Sequence, residues 1–202
     1  MLWLITLKVT NMLNNLIKII DQKRTDTVIS RIKPFLNKKD KIIDIGCGSG
    51  LISSKLLSRG FDVTPVDVDD FHGPRLIKPV IYDGVKLPFP DKSFDTALLL
   101  MVLHHTPNPN IVFSEAARVA KNIILIETSY TNSVNRFITV IADTIGNLRT
   151  KAFWTSYKSD SKWKTFFSKH GFKVTETHKY YDKNVPGLGV SFLHILYLLE
   201  SI

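Results

Sequence analysis

The sequence predicts an α/β domain built on a mostly parallel sheet, and three observations predict it. Short apolar runs alternate with helical patterns from about residue 40 onward. The first of these runs ends in a glycine-rich turn that opens a helix. A later run, Asp95–Val102 (DTALLLMV), is continuously apolar after its first two residues, as a central strand covered on both faces must be. Strand–helix alternation implies parallel strands joined by right-handed crossovers. Sheets of this kind bind ligands beyond their carboxyl ends, where the strand order reverses.

The elements follow in order. Leu2, Ile5, Val9, Met12, Leu16 and Ile20 recur at helical spacing and predict an amphipathic helix packed on the domain. A helix lying on a membrane surface is the alternative. Lys8, Asn11, Asn14, Asn15 and Lys18 interrupt the stretch, so it holds no unbroken span of ~20 apolar residues. It also lacks the basic start and cleavage site of a secretory signal. Thr25 to Leu36 reads as a second helix, with Pro34 set against its far end. Lys41–Ile45 (KIIDI) is the first strand, and Gly50–Arg59 is a helix stopped by Gly60. Phe61–Val66 is the second strand despite Pro65, Pro79–Tyr82 a short third, and Asp95–Val102 the central one. Ile111–Ala120 is a helix, and Asn122–Glu127 (NIILIE) is the fifth strand.

Beyond residue 128 the alternation loosens. Val134, Phe137, Ile138, Ile141, Ile145 and Leu148 form a helical stripe behind the Thr131-Asn132-Ser133 cap region. Lys162–His170 is a further helix with Gly171 as its stop, followed by strands at Phe172–Thr177 and Ser191–Leu199. The Asn184–Gly189 loop (NVPGLG) between them suits reversal into an antiparallel last strand. The expected organisation is one domain: N-terminal helices over 1–39, a core over 40–128, a cover over 129–170, and two last strands over 171–202.

A chain of 202 residues can bury a full core, and no repeat or low-complexity run argues for a solenoid or disorder. Cys47 is the single cysteine, which excludes an intrachain disulfide and a structural zinc site built on several thiols. This fits a reducing, cytoplasmic setting. The net charge of +9 is unevenly spread. Residues 1–41 carry 9 basic and 3 acidic groups, residues 42–128 carry 8 and 10, and residues 129–202 carry 10 and 5. A basic rim around a slightly acidic middle can draw in an anionic substrate, RNA or an acidic lipid surface; ordinary solvated lysines are the better explanation.

Four stretches carry chemistry. Asp44-Ile45-Gly46-Cys47-Gly48-Ser49-Gly50 lies between a strand and a helix, where the backbone must turn sharply and free helix N–H groups are on offer. The spacing is not that of a pyrophosphate dinucleotide site, and no Gly-Lys-Ser/Thr follows. Asp67, 21 residues after Gly46 at the end of the second strand, can accept both hydroxyls of a ribose. Asp83-Gly84, after the third strand, can accept from an adenine amino group. Leu103-His104-His105-Thr106-Pro107-Asn108-Pro109 follows the central strand and offers two candidate bases; the more usual role of such a pair is one ring bonded to the backbone and one loop residue. A metal is not expected there, because no third ligand stands at a suitable spacing.

Taken together, DIGCGSG, VDVDD, YDGVKLPFPDKSFD and LLLMVLHHTPNP resemble the motifs of the class I S-adenosylmethionine (AdoMet)-dependent methyltransferases, in particular the quinone-biosynthesis subgroup. The resemblance covers about residues 40–128, with weaker support from HGFKV and HILYLLE. It implies a Rossmann-like sheet of seven strands, mostly parallel with the last antiparallel, and helices on both faces. It also implies AdoMet as cofactor. Asp44 and the Gly46–Gly50 turn, with Gly46, Cys47, Gly48 and Gly50, would then lie at the methionine end. Asp67 would hold the ribose, Asp83 and Gly84 would stand at the adenine amino group, Val68 would lie on the adenine face, and Met101 near the sulfonium. His104 and His105 would be the catalytic candidates. One departure is the Ala120-Lys121-Asn122 junction, which replaces a longer glycine turn before the fifth strand. Phe153, Trp154, Tyr157 and Trp163 fall in the cover; they line a pocket or, as such aromatic groups more often do, join the core, with Trp154 and Trp163 docking the cover to the sheet. The expected reaction is methyl transfer to a small molecule by in-line displacement. An RNA acceptor, or an AdoMet-binding partner protein without turnover, are the alternatives.

Overall fold

The computed structural model describes residues 19, 21–68, 76–146, 153–182 and 191–202. The chain divides into two compact units, Met1–Asn37 and Lys38–Ile202. In the first, residues 21–32 form helix α1, followed by a 3-10 turn at Lys33–Phe35. The expected helix Thr25–Leu36 therefore starts earlier and stops at Ile32. Pro34 decides this, because it has no N–H to give and its ring crowds the preceding turn. The apolar stripe Leu2–Ile20 lies outside the described residues, as does the NVPGLG loop.

The second unit is built on seven strands: β1 (Lys41–Ile45), β2 (Asp62–Asp67), β3 (Val80–Ile81), β4 (Phe94–Leu100), β5 (Ala120–Ser129), β6 (Phe172–Asp182) and β7 (Phe192–Ser201). Their order is β3-β2-β1-β4-β5-β7-β6. The first five pair in parallel, and β7 runs antiparallel to both β5 and β6. The antiparallel last strand is thus as the sequence predicts. Helices α2 (Leu51–Ser58), α3 (Pro109–Val119), α4 (Ser133–Gly146) and α5 (Asp160–Lys169) connect the strands. The chain leaves β1 toward β2 and β3, then returns to the other side of β1 as β4, so the order reverses between β1 and β4. This is where an open α/β sheet makes its crevice.

The apolar runs behave as their composition requires. The last five residues of β4, Thr96–Leu100, are all buried, and seven consecutive residues of β5 are buried. Pro65 is tolerated because β3 pairs only with Val66 and Asp67, which leaves Pro65 at an edge position. An aromatic cluster joins α3 and α5 to the sheet: Phe113 stacks on Phe167, and Phe167 stacks on Trp163, which is fully buried. Trp163 docks its segment as expected.

The junction at Ala120 is shorter than a glycine turn, since α3 ends at Val119 and β5 begins at the next residue. Lys92 does the work of the missing turn. Its ammonium donates to the carbonyls of Ala117 and Ala120, at 2.8 and 2.9 Å, and its backbone N–H donates to Arg118 O. A cation at the open carbonyls of a helix end is favourable electrostatically as well as by hydrogen bonding. Arg118 in turn clamps the loop after β3, donating to Leu87 O and Phe89 O and pairing with Glu115.

Helix α4 departs from the pattern. Of the helical stripe, Val134, Phe137, Ile138 and Ile141 are exposed, the side chains of Ile145 and Leu148 lie outside the described residues, and the buried positions are Thr139, Val140 and Ala142. The helix turns a mixed face inward, for a reason that appears in the site.

Candidate active site

The site is the row of strand tips at the carboxyl edge of β3, β2, β1 and β4. At the tip of β1 the backbone N–H groups of Gly46 and Cys47 both donate to Val66 O, at 2.8 and 3.1 Å, which folds the chain back over β2. Gly46, Gly48 and Gly50 all have positive φ, a conformation that L side chains adopt only with strain. A Cβ at Gly46 would stand 2.8 Å from both methyl carbons of Val102, and one at Gly50 would stand 2.6 Å from Ile77 Cγ1. These two glycines are required by close packing within the chain, in addition to any ligand they admit. The Val102 contact also fixes the segment after β4 directly against the turn after β1.

Asp67, at the tip of β2, is nearly buried. Its Oδ2 accepts the N–H of Gly48 at 2.6 Å, and its Oδ1 accepts the N–H of Val68 at 2.8 Å. The glycine turn and this carboxylate are therefore one unit. Tyr82 N–H donates to Asp67 O, which brings the tip of β3 alongside. There Asp83 is exposed, and its Oδ1 accepts the N–H groups of Val85 and Lys86, both at 2.8 Å. Those two bonds hold the Asp83 carboxyl below the usual carboxylate range. Gly84 has positive φ, and a Cβ there would meet Val68 Cγ1 at 3.4 Å, so Val68 and Gly84 face each other. Met101, at the tip of β4, has φ of 61° and donates its N–H to Ile126 O. A non-glycine residue in that region is held against its preference by its surroundings.

Asp44 sits below the turn, buried in β1, and its carboxylate accepts the hydroxyl of Ser53 on α2 at 2.5 Å. Burial pushes its pKa up from 3.8 to about 6, with the Ser53 bond opposing and the charge of Asp67 adding to the rise.

The two histidines occupy a 3-10 turn, Leu103–His105, just past Met101. His104 is buried, and its Nδ1 pairs with Oε2 of Glu127, itself fully buried at the end of β5. The other oxygen, Oε1, accepts the N–H groups of Val102 and Leu103 at 3.1 and 2.7 Å. One carboxylate thus fixes both the backbone after β4 and the orientation of a ring. Sequence reasoning found no partner for the histidine pair, because the partner stands 23 residues away on the next strand. A signal did exist: Glu127 is a lone acid closing an apolar strand, a place where a charge persists only when paired.

Asp143 is the second residue that sequence reasoning missed. It comes from α4, and its Oδ2 lies 3.8 Å from His104 Nε2 and 3.7 Å from His105 Nε2. Tyr157, from the cover, donates its hydroxyl to the same oxygen at 2.5 Å and sets its ring 4.9 Å from that of His104. Burial, the Asp143 charge and that bond together keep Tyr157 protonated. The inward face of α4 is mixed because it brings Asp143 to the histidines. The cover is tied to the histidine turn by Phe153 N–H to His104 O and Ser156 Oγ to Thr106 O. Trp154 is 42% exposed, so it does not join the core as expected; it packs on Arg136 and Phe137 instead.

The donor set at the β1–β3 tips fits AdoMet. It offers a nearly buried carboxylate at Asp67, an exposed one at Asp83, and Val68 facing Gly84.

The chain is similar to known proteins over part of its length. Residues 43–123 match the methyltransferase domain family. The chain is similar to squalene methyltransferase 1 of Botryococcus braunii, 33% identical over 107 residues, covering 46% of this chain and 28% of that protein. It is similar to 27-O-demethylrifamycin SV methyltransferase of Amycolatopsis mediterranei, 35% identical over 104 residues, covering 43% and 36%. A ubiquinone biosynthesis O-methyltransferase of Rickettsia felis is 30% identical over 100 residues, covering 44% and 41%. The matches thus span well under half of these relatives' lengths. The fold is shared with a SAM-dependent methyltransferase of Methanosarcina mazei, with TM-score 0.64 and 20% identity over 85% of this chain and 96% of that one. It is also shared with magnesium protoporphyrin IX methyltransferase of Synechocystis with S-adenosylhomocysteine bound, with TM-score 0.58 and 18% identity over 91% and 85%. By its motifs and the match over residues 43–123 the chain resembles the class I AdoMet-dependent methyltransferases, and it shares their fold.

Proposed function

We propose that the chain transfers the methyl group of AdoMet to a small-molecule acceptor by in-line displacement. One observation carries the reading: the glycine turn bonded to Asp67, and the His104–Glu127 pair, stand on neighbouring strand tips joined by the Val102–Gly46 contact. The first half is built to hold a nucleoside and the second to handle a proton or an oxygen. AdoMet supplies an already activated methyl group, so the protein has chiefly to align the acceptor, which is worth roughly 7–11 kcal/mol of a barrier.

In this reading Asp67 accepts the ribose hydroxyls while keeping the Gly48 N–H as its anchor. Asp83 and Gly84 stand at the adenine amino group, and Val68 covers the ring. The Gly46–Gly50 turn with Cys47 runs along the methionine end, Asp44 supports that turn through Ser53, and Met101 borders the methyl group. On the acceptor side, Glu127 accepts a hydrogen bond from the Nδ1–H of His104, which makes Nε2, beside His105 and Asp143, the ring's lone-pair atom. A lone pair there accepts the proton of an acceptor hydroxyl, a contribution of about 10²–10⁴-fold to rate. The relatives' names, for squalene, a rifamycin and ubiquinone biosynthesis, support a small molecule over RNA as acceptor. The exposed apolar residues of α4 with Trp154 suit an apolar acceptor. Among the described residues no helix is long and apolar enough to cross a membrane.

Titration calorimetry with S-adenosylhomocysteine tests the reading. The chain should bind it, and Asp67→Asn should weaken binding by about 10–100-fold, the worth of a hydrogen bond to a charged group. Absence of any binding to the unaltered chain would sink the proposal.

A further inference from the structure

His104, His105 and Asp143 come from two segments some forty residues apart, yet each brings one ligand atom to a common point, all within 4.8 Å of one another. We infer that these three residues form a binding site for a divalent transition-metal ion, one that takes the acceptor's oxygen in an open coordination position. Its role in catalysis rests on the methyl-transfer reading above.

Three features point to a metal. The donors are two imidazole nitrogens and one carboxylate oxygen, the set that suits zinc or ferrous iron and leaves positions open for substrate. The separations from Asp143 Oδ2 are 3.8 and 3.7 Å. A tetrahedral ion with bonds near 2.1 Å needs ligand atoms about 3.4 Å apart; the two separations from Asp143 lie within a few tenths of an ångström of that, and no pair in the cluster exceeds 4.8 Å. The third feature is outside the ligand set. Glu127 holds His104 by Nδ1, so Nε2 is the atom that faces His105 and Asp143. A carboxylate behind a histidine in this way is the usual outer support of a ligating imidazole, fixing tautomer and direction. Tyr157 orients Asp143 similarly, by donating to it.

The position gives the ion a task. Val102, two residues before His104, packs on Gly46 of the turn after β1, so the cluster borders the proposed methyl donor. An acceptor hydroxyl bound to the ion loses its proton to solvent water more readily. The freed oxygen lone pair forms the O–CH₃ bond, the S–CH₃ bond breaks, and its electron pair stays on sulfur. The products are the methyl ether, S-adenosylhomocysteine and one proton. With the ion bound, the Nε2 lone pair of His104 is engaged in ligation and water replaces it as the proton acceptor, so the histidines act through the ion, and the chemistry favours an oxygen acceptor.

Cobalt(II) is the probe, because its visible d–d bands report nitrogen and oxygen ligands directly. The metal-free full chain should bind one equivalent, with bands typical of four or five ligands, and zinc should displace it. His105→Ala and Asp143→Asn, at half-buried positions, should each lower the affinity at least tenfold. Glu127→Gln, which leaves all three ligands in place, should lower it by about 10–100-fold. Circular dichroism and S-adenosylhomocysteine calorimetry on each variant report folding. No stoichiometric cobalt binding by a chain that still binds S-adenosylhomocysteine overturns the metal site alone. Cobalt binding that His105→Ala and Asp143→Asn leave unchanged overturns it as well. Cobalt binding lost on both substitutions in a chain that never binds S-adenosylhomocysteine upholds the ion site and removes the methyl-transfer reading instead.

Discussion

The two halves of the candidate site are assembled by different means. At the tips of β1 and β2 the contacts are made largely by backbone: three positive-φ glycines, and amides of residues 46, 47 and 48 that reach Val66 O and Asp67. At the tips of β4 and β5 they are made by side chains from distant segments: His104 with Glu127 across 23 residues, Asp143 from α4, and Tyr157 from the cover. The contrast teaches that the first half depends on local conformation, which few residue types can adopt. The second depends on a buried polar network whose members come from separate segments.

The comparison can be broken by substitution, and the largest effect belongs to the side-chain half. Glu127→Leu leaves His104 without its carboxylate and the amides of Val102 and Leu103 without an acceptor; a stability loss of about 3–5 kcal/mol is expected in urea denaturation. A loss under about 1 kcal/mol would show that the network is not structural. Asp44 sharpens the other half. Its folded pKa of about 6 lies above the unfolded 3.8, so the native state holds the proton more tightly. The cost of charging it therefore grows as pH rises from about 4 through 6. Asp44→Asn removes that cost and should stabilise the chain by up to about 3 kcal/mol at pH 8, with the gain vanishing near pH 4. Stability curves for the two proteins that ran parallel over this range would contradict the assignment. Gly46→Ala forces a positive φ and presses a methyl group on Val102; a loss of about 2–3 kcal/mol should accompany weaker S-adenosylhomocysteine binding. The smallest effect expected is that of Lys92→Met. Loss of the ammonium at the end of α3 should cost about 1 kcal/mol and leave S-adenosylhomocysteine binding unchanged.

What was legible follows the same division. The glycine turn, Asp67, Asp83 with Gly84, and the strands carrying them stand as contiguous stretches, because each is tied to its own strand end. The central strands were legible because full burial demands an unbroken apolar run. The direction in which α4 faces was not legible. Val134, Phe137, Ile138 and Ile141 have the periodicity of a packing stripe, yet they lie outside while Thr139 and Val140 lie in. Periodicity reports where apolar side chains gather and carries no sign for inside or outside. The third member of the histidine cluster was illegible for a related reason: 38 residues and one strand separate Asp143 from His105.

By itself, then, the sequence determined the strand–helix alternation, the turn that only glycine can make, and the acid at the end of β2. Each follows from steric and solvation rules that act within a few residues. Tertiary structure alone decided that Glu127, Asp143 and Tyr157 meet at His104. Their meeting depends on β4 lying beside β5 and on the rotation of α4 over the sheet, and both are fixed by packing summed over the whole domain.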